Sequence, residues 1–185
     1  KRGLLEIAGR IGGQNARAFL LGVVQESDLD LRAAALGGLS EISSQDGSKA
    51  PVDFRKLLRE EAQSHFQILC FQRDLLLNPH GEAMNLAISD ELLKSQARIY
   101  LLLENIYERD LIASIRIRMQ STLDKEKALA LELLETSLKS EDLALVMPIL
   151  ECLPAHDLLS ELAPKFAADH PQDWAMRLVQ IISEP

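Results

Sequence analysis

At 185 residues the chain is long enough to bury a core as one domain or one run of repeats. Leu and Ala supply 35 and 20 residues, Val and Thr together only 7, and aromatics 4%, so the β-branched and aromatic residues that fill a sheet are missing. The net charge of −8 is concentrated in residues 126–185, where 11 Asp/Glu face 4 Lys/Arg, which excludes the broad basic stripe that a nucleic acid partner needs.

Leu4, Ile7, Ala8 and Ile11 recur at i, i+3, i+4, i+7 and predict a first helix, stopped by Gly12-Gly13. Asn15 can open the second, with Ala16, Phe19, Leu20 and Val23 on one face. After the turn Gln25–Asp30, Asp28 or Asp30 can cap a third helix that ends near Ile42. Its small residues Ala33, Ala34, Ala35, Gly37 and Gly38 predict a close helix–helix approach. Residues 43–51 carry Ser, Gly, Asp and Pro turn signals and predict a loop. A long helix follows over about Asp53 to Leu77, ended by Asn78-Pro79-His80-Gly81.

Ser89 or Asp90 can open the next long helix. It puts Leu92, Gln96, Ile99, Tyr100, Leu103, Ile106 and Tyr107 on one face and Lys94, Arg98, Asn105 and Glu108 opposite. A shorter helix covers about 110–120. Asp124 can cap a helix to Leu138 with Ala128, Leu131, Leu134 and Leu138 inward, and Ser140 a helix over Glu141–Cys152, which Pro148 should kink and Pro154 end. Helices at about 156–168 and 172–183 complete the chain. One amphipathic hairpin cannot bury its face alone, whereas stacked hairpins cover one another. The fold class is therefore all-α, an α-α superhelix of stacked antiparallel helix pairs, with a compact bundle as the competing architecture. The layout divides into a repeat at 1–42, the loop at 43–51, long irregular helices at 52–124 and regular repeats at 125–185.

Asp30, Leu31, Arg32, Ala34 and Ala35, followed by Leu36, Leu39 and Ile42, form an Asp-turn and Val-Arg-x-Ala-Ala-like pattern, with Leu31 where Val is usual. The stretch 13–42 thereby resembles a HEAT repeat, of the HEAT/armadillo type of solenoid. More narrowly, Ala97–Leu103, Ala130–Glu135 and Val146–Leu150 resemble the cytosolic HEAT-containing region of bacterial membrane proteins with a nucleotide-transporter-like or major-facilitator-like domain. Asp173-Trp174 would begin a further repeat. The resemblance implies a scaffold that makes protein–protein or interdomain contacts, cytoplasmic and tethered to the inner membrane through a transporter-like domain outside this segment. The opening Lys1-Arg2-Gly3, with patterning from Leu4, fits the same expectation of a segment from a longer chain.

Residues with chemical potential are few. His65, His80, His156 and His170 have no His or Cys three to five residues away, so no helical metal pair forms, and they read as surface histidines. Glu60-Glu61 and Asp90-Glu91 diverge by about 100° on a helix and read as solvated acids. Arg109, Arg116 and Arg118 form the one local basic cluster and read as salt-bridging residues, with an anionic partner or a lipid surface as the alternative. Cys70 and Cys152 sit in apolar helical patterns and read as buried thiols of a reducing compartment. Trp174 reads as core. The expectation is a non-catalytic interaction module with no catalytic, cofactor or metal residues. Its partners are protein surfaces or neighbouring domains, and no segment of 18 uncharged apolar residues spans a membrane. The alternatives are a HEAT-like enzyme such as a phycobilin lyase and a freestanding structural bundle.

Overall fold

A computed structural model describes residues 1–25, 28–46, 52–76, 82–151 and 153–166. Among them every regular element is an α-helix: α1 Arg2–Ile11, α2 Gly13–Val24, α3 Leu29–Asp46, α4 Phe54–Leu76, α5 Glu82–Ile106, α6 Arg109–Met119, α7 Asp124–Ser137, α8 Ser140–Leu150 and α9 Ala155–Leu162. The helix at 172–183, Trp174 and Cys152 lie outside the described residues.

Gly12 and Gly13 stop α1 as their composition predicts. Their φ angles are 69° and 83°, in the left-handed region open to glycine, and the Gly12 N–H donates to the Ala8 carbonyl. The chain turns at once into α2, so Asn15 lies inside a helix rather than opening it. Asp28 caps α3, its Oδ1 accepting the N–H groups of Asp30 and Leu31 at 3.1 and 3.0 Å. α3 then runs on to Asp46, past the expected stop at Ile42. Ile42 is buried and Gln45 donates back to Glu41 one turn earlier, so helical pairing outlasts the serine run; residues 47–51 of the expected loop lie outside the described residues.

α1 crosses α3 where two glycines meet. A Cβ on Gly9 would stand 2.6 Å from the Gly38 Cα, and a Cβ on Gly38 would stand 2.9 Å from the Leu20 Cδ1. The small-residue run in α3 is thus the close contact that its composition predicts, with Ala35 fully buried beside it. α1 and α2 both pack on α3, and α3 packs on α5.

α4 and α5 are the two longest helices and pair antiparallel, since Glu61 meets Ser95 and Arg98 while Gln72 meets Asn85 and Ser89. α5 begins at Glu82, so Ser89 and Asp90 are not its cap. Ser89 instead receives the Gln72 amide from α4, and Asp90 pairs with Lys94 one turn on. α6, α7 and α8 follow in sequence-neighbour contact, and α8 and α9 come back onto α4, where Phe166 sets its ring 5.6 Å from that of Phe66. One continuous apolar cluster joins Leu5 to Leu162, and a smaller one of Phe71, Leu75 and Ile88 closes the far end of the α4/α5 pair.

The later helices start differently from expectation. Asp124 and Ser140 are first-turn residues, and the N-cap positions fall on Leu123 and Lys139, without side-chain caps. In α7 the inward residues are Ala130, Leu134 and Leu138, and Ala128 is exposed, a shift that follows α7 wedging between α6 and α8. Pro148 lies within α8 as predicted and has no N–H for the Ala144 carbonyl, which accepts the Lys165 ammonium instead.

Gly9→Ala should lower stability by about 1–3 kcal/mol, since its Cβ meets backbone. Gly38→Ala should cost less, because its closest contact is the end of a flexible leucine and the nearest backbone atom, the Leu5 oxygen, is 3.2 Å away rather than 2.6 Å. Denaturant unfolding of both variants checks the order, and equal stabilities would remove the close crossing.

Candidate functional site

The three arginines of the basic cluster do not form a patch. Arg109 pairs with Glu41 of α3 at 2.6 Å, Arg116 reaches Glu104 of α5 at 3.8 Å, and Arg118 pairs with Glu126 of α7. Their divergence around α6 distributes them to three different neighbours. Of the acid pairs, Glu60 and Asp90 are solvated and pair with Lys56 and Lys94 within their own helices, whereas Glu61, expected to be solvated, is buried. Cys70 is buried, as expected. His156 is exposed beside Asp157, as expected, while His80 and His170 lie outside the described residues.

His65 and Arg98 depart from expectation together. The sequence reads both as surface residues, and both are buried between α4 and α5. Arg98 Nε and Nη2 lie 3.0 Å from one oxygen of Glu61, Nη2 also reaches Glu91 at 2.8 Å, and the Ser95 hydroxyl donates to Glu61 at 2.7 Å. Arg98 looks polar on a helical wheel, yet that side of α5 is covered by α4. A signal exists: Glu61 and His65 are one turn apart on α4, and Glu91, Ser95 and Arg98 share one face of α5. His65 Nδ1 is buried with no hydrogen-bond partner. Burial and then the Arg98 charge push the His65 imidazole down to about 4.

A second polar junction ties α4, α5 and α8. The Tyr107 hydroxyl donates to the Asp142 carboxylate at 2.5 Å and accepts the Lys139 N–H, while Arg55 Nε pairs with the same carboxylate at 2.9 Å. Burial and the hydrogen bond to Asp142 push the phenol up.

Next to it a cleft of about 470 Å³ opens between the C-terminal half of α3 and the α5/α6 corner. Ser40, Ser43 and Ser44 line one wall, Glu104 and Asn105 the other, and Glu108, Arg109 and Asp110 the rim. Glu104 is only 9% exposed, with Ser40 Oγ at 3.4 Å and Arg116 at 3.8 Å as its contacts. Burial pushes this carboxyl up, against the opposing pull of Arg116 and Arg109. The cleft holds hydroxyls and carboxylates but no histidine to activate them. Among the described residues no group of three or more His, Cys, Asp or Glu is placed to hold a metal.

The other distinctive surface is apolar. α1 buries Leu5 and Gly9 but leaves Leu4, Ile7 and Ile11 at 64%, 52% and 75% exposure, and Phe19 of α2 is 52% exposed. A 210 Å³ cleft lined by Lys1, Leu4, Leu5, Phe19, Val23 and Leu31 lies beside this stripe. The periodicity finds the stripe in the sequence, but not which of its residues face outward.

The depressed His65 value sets a pH dependence. The unfolded chain takes up a proton below about 6.5 that the folded chain refuses until about 4. Stability is therefore full above that window and falls by about 3 kcal/mol as pH drops through it. Unfolding free energies of the wild type and His65→Leu between these pH values should diverge by that amount, and parallel curves would contradict the burial.

Set against known protein families, curated proteins and solved structures, the chain shows no significant match.

Proposed function

We propose that the chain is a non-catalytic helical module that makes contacts with other protein surfaces or neighbouring domains. The observation that carries the reading is the stripe of Leu4, Ile7 and Ile11, with Phe19 beside it, exposed on α1 and α2. Full burial of such a side chain is worth roughly 1.5–3 kcal/mol, so a partner covering the stripe gains several kcal/mol before ordering costs. Residues 1–25 carry four Lys/Arg against one acid, in a chain whose overall charge is −8. The complementary occupant is an amphipathic helix with acidic flanks. Leu4, Ile7 and Ile11 present the i, i+3, i+7 spacing that such a helix packs against.

We propose further that the helix pairs stack as a superhelix of the HEAT/armadillo type, supported by the 13–42 pattern and by the sequence-neighbour packing of α6, α7 and α8. The cytosolic part of a bacterial transporter-like membrane protein is the proposed setting. Its support is the resemblance of 97–103, 130–135 and 146–150, and no described helix is long and apolar enough to cross a membrane. Reading the coding sequence upstream of Lys1 tests that setting. About ten apolar stretches of roughly 20 residues are expected, and none on either side would remove it.

A photo-crosslinker at Ile7 or Ile11, used in the source cells, should capture an acidic amphipathic helix. Leu4→Asp with Ile11→Asp should abolish capture while leaving the circular dichroism spectrum unchanged. Capture of lipid alone, or of nothing, would sink the interaction reading, and a near-spherical solution-scattering profile would sink the superhelix.

A further inference from the structure

The cleft at the α3/α5/α6 corner has a one-sided chemistry. Both protons of the Asn105 amide nitrogen are used, on the Leu36 carbonyl at 3.0 Å and the Leu101 carbonyl at 2.8 Å, which fixes the orientation of the amide. Its Oδ1 is left buried in the cleft wall with no partner. The adjacent Glu104 carboxylate is nine-tenths buried, and its two contacts at 3.4 and 3.8 Å are both long for a charge removed from water. The Tyr107 hydroxyl already serves Asp142 and Lys139, so it offers the cleft nothing. Arg109, on the rim, is held by Glu41 at 2.6 Å. Three acids, Glu104, Glu108 and Asp110, thus line the cleft against one cation, Arg109, which Glu41 already holds, while Arg116 approaches Glu104 from outside the lining. The unused capacity is acceptor capacity under a negative local potential, with three serine hydroxyls that can turn their lone pairs inward.

We propose that this cleft binds an alkylammonium group, with Glu104 as its counter-ion and Ser40, Ser43 and Ser44 as further acceptors. An ammonium carries three donors on a compact charge, which matches one carboxylate plus neighbouring hydroxyls. Ile106 in the cleft lining gives the alkyl stem an apolar wall. A divalent metal fits less well, because the described residues hold no group of three ligating side chains. An anion would meet the carboxylates. The group arrives either on a lysine side chain of a docked protein or on a free polyamine. The cleft is separate from the α1/α2 face, so this site and the docking reading stand or fall independently.

The test is titration of the whole chain by calorimetry and by amide NMR with two probes and a control. The probes are 1,5-diaminopentane and a short lysine peptide blocked at both ends, and the control is 1-pentanol. The expected result is saturable binding below about 10 mM by at least one amine, with shifts at Ser43, Ser44 and Asn105 and none from the alcohol. Binding by the diamine alone assigns a free polyamine, and binding by the peptide assigns a lysine side chain. Glu104→Gln should weaken binding about tenfold or more. Because Glu104 is buried, Asp110→Asn on the exposed rim provides a second variant, expected to weaken binding severalfold with the fold intact. No saturable shift from either amine, equal binding of the alcohol, or undiminished binding in folded Glu104→Gln would overturn the proposal.

Discussion

The carboxylate of Glu61 and the guanidinium of Arg98 meet inside the α4/α5 pair, at 5% and 2% residue exposure. Two charges withdrawn from water in this way add little net stability, but losing either partner strands the other, at a cost of about 3–5 kcal/mol. A slip of α4 along α5 by even one turn would do the same. The pair therefore sets register in an interface that leucines alone would leave free to slide. Ser95 adds a donor to the Glu61 carboxylate and Glu91 a second acceptor to the guanidinium, which fixes the orientation of the pair.

The rest of the structure hangs on α5 so positioned. Gln96 donates to the Ile149 carbonyl of α8, and Asn105 to the Leu36 carbonyl of α3. Each amide reaches a main-chain oxygen of a neighbouring helix, so α5 is locked to elements on two further sides. The cleft lies where α3 meets the α5/α6 corner, beside the Asn105 bond to α3 and the Arg109–Glu41 pair between α6 and α3. The apolar α1/α2 face stands further out, attached through α3 alone among the stronger contacts. The exposed apolar face and the polar cleft thus lie on different parts of one chain.

Most of the helices are legible from periodicity because leucine and alanine repeat at helical spacing almost throughout. A helical wheel divides α5 into an apolar and a polar face, but α5 is covered on several sides, so Arg98 on the nominally polar side is buried. Ser89 and Asp90 look like a helix start, yet serine and aspartate are also what a long helix uses to meet Gln72 across a pair and Lys94 along itself. Capping signals at Asp124 and Ser140 miss by one residue, within the usual uncertainty of helix ends. The candidate cleft is not legible at all, because its walls come from residues 40–44 and 104–110, which no local pattern brings together.

The crossing at Gly9 has a consequence for how the sequence can drift. Every codon change that replaces glycine adds a Cβ, whatever chemistry follows it. Here the first atom of any side chain meets the backbone of α3, which cannot swing aside as a side chain can. Hydrophobicity, charge and size beyond that atom do not enter. Position 9 thus penalises conservative and radical substitution alike, whereas at Gly38 a smaller side chain at position 20 relieves the tightest contact but leaves the Leu5 carbonyl at 3.2 Å.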